Sequence, residues 1–206
     1  CSEKVALAQA PDYFDGVVNS DISRVDYVER NKERASRIMR SYARAVAGQT
    51  KLSSIVKDIA VNEANNISED TVASYIKALK QIFVIEDALA WNPNLRSKAA
   101  IRTSDTHYFV DPSIGTAALG LGPKDLINDL HTMGLLFENM CIRDLRVYAD
   151  MLNGQVYHYR DSNNLECDAV IHLRNGDYGL VEVKLGGEKL IEDGVKTLNK
   201  LAANID

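Results

Sequence analysis

A chain of 206 residues has room for one ordinary domain or two small ones, and 46% hydrophobic with 26% charged residues is typical of a globular protein. Only 4 Pro and 12 Gly exclude a collagenous or low-complexity chain, and no apolar run approaches the roughly 18–20 residues of a membrane span. Three cysteines, an odd number, favour a reducing compartment over a disulfide framework, so the sequence predicts a cytoplasmic protein.

The charge is unevenly divided between the two halves of the chain. The net charge is −5, but residues 1–110 carry 15 Lys and Arg against 14 Asp and Glu, whereas residues 111–206 carry 9 against 15. Residues 30–44 alone contain six basic side chains and one acidic side chain. That run is either a solvated helix face or a flank that contacts nucleic-acid phosphates. The contrast between the halves predicts two regions with different roles.

The chain begins with Cys1-Ser-Glu-Lys, which contains neither an initiator Met nor a signal peptide, so we expect a fragment of a longer chain. Residues 1–29 are weakly patterned and predict a connector. Apolar spacing, N-cap serines at 53 and 68 and strand-forming residues then predict five elements. In chain order they are helices at 31–47, 53–59 and 68–81 and strands at 83–91 and 107–110. Gly48 is expected to cap the first of these helices.

Three helices followed by two strands is the order of a winged helix, which we predict over residues 30–110. In such a domain the third helix reads DNA and the hairpin forms the wing, here within 92–106 with Arg102 among its basic residues. The basic candidates for contact with nucleic acid are Lys77, Lys80, Arg96 and Lys98. The third helix offers few such groups, so a winged helix that packs on another protein is the alternative.

A run of Pro and Gly residues between 111 and 125 predicts a boundary and a second domain over 111–206. Its predicted elements are a helix at 126–151, strands at 156–159, 167–173 and 179–185, and a helix at 188–201. Asn175-Gly176 predicts a type I′ hairpin between the second and third strands.

Two carboxylates and an amine are predicted to converge at one end of this small sheet. Because side chains alternate along a strand, Glu182 and Lys184 share a face, and the hairpin brings Asp168 close to both. Mg²⁺ takes oxygen ligands from one or two carboxylates plus waters, and a nearby lysine can position the attacking water. The alternative is an exposed strand ion pair beside an aspartate. The scattered histidines have no zinc-ligand spacing.

Asp168 followed by Glu182-Val-Lys184, with Glu138 on the preceding helix, resembles the PD-(D/E)XK pattern of restriction-endonuclease-like phosphodiesterases. The resemblance implies an α/β (α+β) fold with a small mixed sheet flanked by helices. It also implies that Asp168 and Glu182 bind Mg²⁺ or Mn²⁺, that Lys184 is the catalytic amine and that Glu138 is an accessory acid. Cys167 stands where the family often has Pro.

A longer ordered set of motifs is similar to the C-terminal region that follows an AAA+ P-loop ATPase domain in many prokaryotic proteins. In chain order the motifs are Ser68-Glu-Asp-Thr-Val-Ala-Ser-Tyr-Ile-Lys-Ala-Leu, Tyr108-Phe-Val-Asp-Pro, Gly134-Leu-Leu-Phe-Glu-Asn, Leu165-Glu-Cys-Asp-Ala-Val and Leu180-Val-Glu-Val-Lys. The similarity covers about residues 20–206. It implies that ATP binds only in a missing N-terminal domain, since no Walker A loop occurs in this chain.

The expected function is therefore engagement of nucleic acid, with Mg²⁺-dependent hydrolysis of a phosphodiester. The expected partners are DNA and the missing ATPase domain, with no membrane partner. The alternative is a catalytically inactive nuclease-fold scaffold that couples the ATPase to a protein partner or substrate.

Overall fold

The computed structural model describes residues 2–61, 67–93, 104–161 and 165–205. They divide into two compact units, the first formed by Cys1–Glu86 with His107–Leu136 and the second by Asp87–Thr106 with Phe137–Asp206. Within the described ranges, no helix combines the length and the apolar character that crossing a lipid bilayer requires.

Helices dominate the first unit. Those that begin in it are α1 (Glu3–Gly16), α2 (Ile22–Arg24), α3 (Lys32–Arg44), α4 (Leu52–Ala60), α5 (Glu69–Gln81), α6 (Pro112–Leu119), α7 (Pro123–Asn128) and α8 (Leu130–Met151). A π-helical segment, Val17–Asp21, joins α1 to α2, so most of the predicted connector is helical.

The ends of these helices follow from local capping. Asn31 and Ser68 accept hydrogen bonds from the N–H groups of Arg34 and Thr71, at 2.8 and 3.1 Å, and so cap α3 and α5. The prediction of Ser68 as an N-cap is confirmed. The prediction of Ser53 is wrong, because α4 begins one residue earlier and the Lys51 carbonyl accepts its first backbone bonds.

The predicted helix over 31–47 ends at Arg44, and Gly48 is not its cap. Ala47 takes the left-handed conformation instead, at φ 57°. Its N–H donates to the His107 carbonyl at 2.8 Å, and the His107 N–H donates back to the Gly48 carbonyl at 3.0 Å. A tertiary pairing therefore fixes this turn at an alanine, where sequence alone favours glycine.

The core of the first unit lies among α3, α4 and α5, which contact one another. Its buried residues include Ile38, Met39, Tyr42, Ile55, Ile59, Val72, Tyr75 and Leu79. Their spacing at three or four residues confirms the apolar stripes predicted for these helices.

The two strands predicted at 83–91 and 107–110 form isolated bridges. In the first unit Ile85 pairs antiparallel with Phe109, whose ring meets the Tyr42 ring edge-on at 5.5 Å between centroids. In the second unit Ala88 pairs antiparallel with Thr106. Residues 94–103, which hold most of the predicted wing tip, lie outside the described residues.

The predicted boundary at 111–125 contains α6 and the first half of α7, which the sequence analysis missed. Asp111 caps α6 through the Ser113 N–H at 2.8 Å, and Gly120 ends that helix at φ 72°. Pro and Gly therefore mark the ends of helices here. The same residue types are also typical of linkers between domains, so the sequence indicated a boundary. Because α7 extends to Asn128, α8 begins at Leu130 rather than at residue 126.

The second unit is built on a three-stranded antiparallel sheet in the order β1-β2-β3. Its elements are β1 (Gly154–Arg160), β2 (Glu166–Leu173), β3 (Tyr178–Val181), α9 (Glu188–Ile205) and the α8 residues from Phe137 onward. Ala90 adds a parallel bridge to His158 of β1. The observed class is α+β; the resemblance implied a mixed sheet, whereas the described strands all run antiparallel.

The hairpin predicted at Asn175-Gly176 is present, but its turn is not type I′. Only Gly176 has a positive φ, at 97°, and the Leu173 N–H donates to the Asp177 carbonyl at 2.8 Å. Three residues therefore connect the paired positions instead of two. The extra residue shifts the register so that Ala169 lies opposite Val181, one position from the prediction.

Helix α9 is fixed to the sheet by an apolar cluster. Leu201 is fully buried with Trp91, Leu165, Cys167 and Val170. Leu198 and Ile205 of the same helix pack against this cluster. The C-terminal half of α9 is therefore anchored, which constrains where its N-terminal half passes the end of β3.

Candidate functional site

The candidate site lies where β2 and the end of β3 meet. Asp168 is on β2, and Glu182 and Lys184 follow β3 directly, since the strand ends at Val181 rather than at the predicted residue 185. The register of β2 and β3 places Asp168 opposite position 182. Directly opposed residues of an antiparallel pair point to the same face, so the hairpin carries both carboxylates to one side of the sheet.

The three predicted side chains are close together. The Lys184 Nζ lies 2.6 Å from Glu182 Oε1 and 4.0 Å from Asp168 Oδ2. The Val183 N–H donates to Asp168 Oδ2 at 2.7 Å. The segment after β3 therefore presents an amine, a carboxylate and a backbone donor to a single aspartate.

The two carboxylates are largely buried, unlike those of an exposed strand ion pair, whereas Lys184 lies at an exposed position. The Glu182 side chain is 7% exposed, that of Asp168 15% and that of Lys184 33%. Removing charged groups from water costs free energy unless the charges are paired. Here two carboxylates lie beside a single ammonium, so the site carries a net negative charge.

The clearest indication that this site requires a ligand comes from one carboxylate oxygen of Glu182, Oε2. It is buried, and it has no hydrogen-bond partner among the residues that the structure describes. A buried polar atom without a partner costs about 1–3 kcal/mol, and more when it carries charge. A cation bound between Glu182 and Asp168 would meet that requirement, so the donor set fits a hard divalent metal ion.

The surroundings of Asp168 and Lys184 shift the pKa values of both groups. Burial and the Glu182 charge raise the pKa of Asp168 to about 6, against the opposing effects of the Val183 N–H and the Lys184 ammonium. Burial lowers the pKa of Lys184, but its hydrogen bond to Glu182 and the surrounding carboxylates raise it more. Lys184 is therefore a cation at neutral pH, which suits it to charge stabilisation rather than to proton abstraction.

Glu138, the predicted accessory acid, lies on α8 close enough for its charge to raise the pKa of Lys184. It thus contributes to the same electrostatic environment. Cys167, beside Asp168, faces the strand backbone, and its thiol donates to the Ala169 and Val181 carbonyls at 3.0 and 3.2 Å. Burial raises the pKa of Cys167 to about 12, so it is an inert thiol.

The predicted nucleic-acid contacts lie in the first unit or outside the described residues. Lys77 and Lys80 are exposed on α5. Arg96 and Lys98 belong to the segment that the structure does not describe, so their positions stay untested.

Part of the basic run at 30–44 is structural. The Arg30 side chain is 2% exposed and binds both carboxylate oxygens of Asp26, at 2.6 and 2.8 Å. Arg44 pairs with Asp58, and Arg40 Nε donates to the Ala118 carbonyl at 3.2 Å. Arg30 is therefore a buried structural residue, whereas Arg40 and Arg44 make these contacts at exposed positions of α3.

Sequence reasoning missed one residue that lies at the site. Gly194 of α9 is buried against Glu182 and Lys184. The available signal was a glycine inside an otherwise regular amphipathic helix, since such a position usually has a packing reason.

Two family models match the chain, in succession. Residues 133–206, which include the whole candidate site, match "Domain of unknown function (DUF4143)". No curated protein and no solved structure was found to match. Residues 2–125, or 124 of the 206, match "Domain of unknown function (DUF8612)", and the chain therefore belongs to the DUF8612 family.

Proposed function

We propose that this chain engages nucleic acid and hydrolyses a phosphodiester with the help of Mg²⁺ or Mn²⁺ at Asp168 and Glu182. The observation that carries the proposal is the buried Glu182 Oε2, which has no hydrogen-bond partner among the described residues and lies beside a second carboxylate and a lysine. The PD-(D/E)XK interpretation of the sheet and the winged-helix interpretation of α3–α5 are parts of this proposal.

Asp168 and Glu182 would hold the metal ion. The described residues contain no cluster of three or more His, Cys, Asp or Glu side chains arranged for a metal, so water or phosphate oxygens would complete the coordination. A bound ion would supply a nucleophilic water at neutral pH and charge neutralisation for the phosphate.

The Lys184 ammonium would orient the water and stabilise negative charge that develops on the phosphate. Its raised pKa keeps it protonated for that role. The acidic excess of this part of the chain also predicts the order in which the cation and the phosphate bind. Residues 111–206 carry an excess of six acidic side chains, so a phosphate would approach this site only after a cation has reduced the local negative potential.

The longer resemblance supports the proposal that this chain acts beside an AAA+ ATPase domain, which would bind ATP and regulate or drive the nuclease. A cytoplasmic location belongs to the same proposal. The competing function is a scaffold without metal, and the following experiment distinguishes the two.

The test uses Glu182→Gln, which keeps the shape of the side chain and removes its charge. With Mn²⁺ or Mg²⁺ present, the parent should melt at a higher temperature and should nick supercoiled or single-stranded DNA, because the ion binds the folded state. Glu182→Gln should lose both effects. Glu192→Gln, the same substitution at an exposed position of α9, should keep them.

A parent with neither a metal-induced thermal shift nor cleavage would contradict the proposal and favour the scaffold. A thermal shift without cleavage would keep the metal site and indicate a nuclease that requires its ATPase domain.

A second test concerns DNA contact through α5. Replacing Lys77 and Lys80 together with Glu should weaken DNA binding and flatten its salt dependence, because each lost phosphate contact lowers the log–log slope by about 0.9. The control replaces Lys51 and Lys57, exposed lysines at and near α4, and changes the charge equally. Equal loss in the two double variants, measured by fluorescence anisotropy at several salt concentrations, would refute a specific role for α5.

A further inference from the structure

We infer that Gly194 is a positioning residue for the proposed metal site, acting through Glu182 and Lys184. The inference rests on the proposed function, and it concerns what holds the carboxylate in place. Glycine in a helix interior costs about 1 kcal/mol relative to alanine, so its presence inside α9 requires a compensating reason.

The reason is the close approach of α9 to the site. A Cβ atom at position 194 would lie 3.2 Å from Glu182 Cγ, 3.7 Å from Glu182 Cβ and 3.7 Å from Lys184 Cγ. The first distance is shorter than normal carbon–carbon van der Waals contact, so Glu182 would have to move. The bare Gly194 backbone thus forms the surface on which the aliphatic parts of both side chains rest.

The helix itself cannot easily move away to make room. Leu201, two turns further along α9, is fully buried in the cluster with Trp91 and Val170, and Leu198 packs against the same cluster. Strain from an added methyl group would therefore be transmitted to Glu182, which follows the last residue of β3, rather than to the anchored helix.

This packing covers the aliphatic part of Glu182, whose side chain is 7% exposed and whose Oε2 has no hydrogen-bond partner among the described residues. A carboxylate with a single buried geometry is pre-oriented for a cation, and a ligand whose position is set by neighbouring residues binds metal more tightly than a mobile one. Gly194 thereby contributes to metal affinity without touching the metal.

The experiment compares Gly194→Ala with Gly134→Ala. Both glycines lie inside helices, and a Cβ at Gly134 would meet no atom of the described residues within 4 Å apart from the backbone of its own helix. Both variants gain helix propensity equally, but only the first crowds Glu182. Mn²⁺ affinity is measured by calorimetry and by electron paramagnetic resonance of free Mn²⁺, and the unfolding free energy by urea denaturation without metal.

We expect Gly194→Ala to weaken Mn²⁺ binding about 10- to 100-fold, the range found when groups that orient metal ligands are changed. Gly134→Ala should bind Mn²⁺ like the parent. If both variants bind Mn²⁺ like the parent, the inference is wrong and the proposed function stands. If the parent binds no Mn²⁺, the proposed function fails and the inference fails with it.

Because the added methyl group of Gly194→Ala could also lower the stability of the whole protein, Gly194→Ser serves as a second variant with a similar Cβ. A folded protein, shown by an unchanged circular dichroism spectrum and a cooperative urea transition, with weakened Mn²⁺ binding in both variants supports the inference. If Mn²⁺ binding falls only in proportion to the fraction of protein that has unfolded, the inference is overturned, because Gly194 then contributes to stability alone.

Discussion

Replacing Lys184 with Met is expected to raise the affinity for Mn²⁺ about tenfold while lowering DNA cleavage at least about 100-fold. The Lys184 ammonium lies 2.6 Å from Glu182 Oε1 and 4.0 Å from Asp168 Oδ2, so it occupies the space between the carboxylates that a cation would use. A metal ion must compete with this charge, and Met removes the competition while keeping much of the side-chain volume.

Cleavage should fall because the same ammonium is the group that would stabilise the reacting phosphate. Calorimetric titration with Mn²⁺ and a nicking assay at saturating Mn²⁺ measure the two effects separately. Lys196→Met is the control, since Lys196 pairs with Asp193 on the exposed side of α9 at 3.0 Å. Unchanged or weaker Mn²⁺ binding in Lys184→Met would show that the lysine does not hold the cation position.

Replacing Asp168 with Asn is expected to stabilise the metal-free protein at pH 7, by an amount on the order of 3 kcal/mol. The Asp168 pKa is about 6 in the folded state against an ordinary value of 3.8, because burial and the Glu182 charge disfavour its ionised form. Asn resembles the protonated acid and retains an oxygen for the Val183 N–H.

The sign of the pH dependence follows from the raised pKa. Protonation of Asp168 favours the folded state, so its contribution to stability is fully present below about pH 4 and is lost as the pH rises through 6. The stability advantage of Asp168→Asn should therefore be largest at pH 7 and should vanish near pH 4.

Urea denaturation of both proteins at several pH values measures this difference. Adding Mn²⁺ at pH 7 should reduce or reverse it, since the ion stabilises only the parent. Asp150→Asn, at an exposed position of α8, should show no comparable effect. A parent as stable as Asp168→Asn at pH 7 without metal would contradict the raised pKa.

Both predictions describe a site that is costly to fold. Two buried carboxylates share one ammonium, and one carboxylate oxygen has no partner within the described part of the chain. Such an arrangement is difficult to explain as a stabilising ion pair, because apolar residues of similar volume often stabilise such positions better. This cost is the physical argument that favours metal binding over a purely structural role.

The sequence by itself determined those features that depend on neighbours along the chain. The Ser68 cap, the apolar spacing of α3 and α5 and the hairpin at Gly176 involve residues within a few positions of one another. Because an antiparallel hairpin fixes pairing from its turn outward, the approach of Asp168 to Glu182 followed from the same local signal, with an error of one residue.

Only the tertiary structure decided which charges are buried and which are available. Arg30 belongs to a run of basic residues in the sequence, yet its side chain is buried and forms an ion pair with Asp26. The sequence left open whether Glu182 belonged to a metal site or to an exposed strand ion pair, and only the structure shows that α9 covers its side chain at Gly194. Burial and protonation depend on surfaces contributed by residues distant in the chain, and periodicity along one segment carries no information about them.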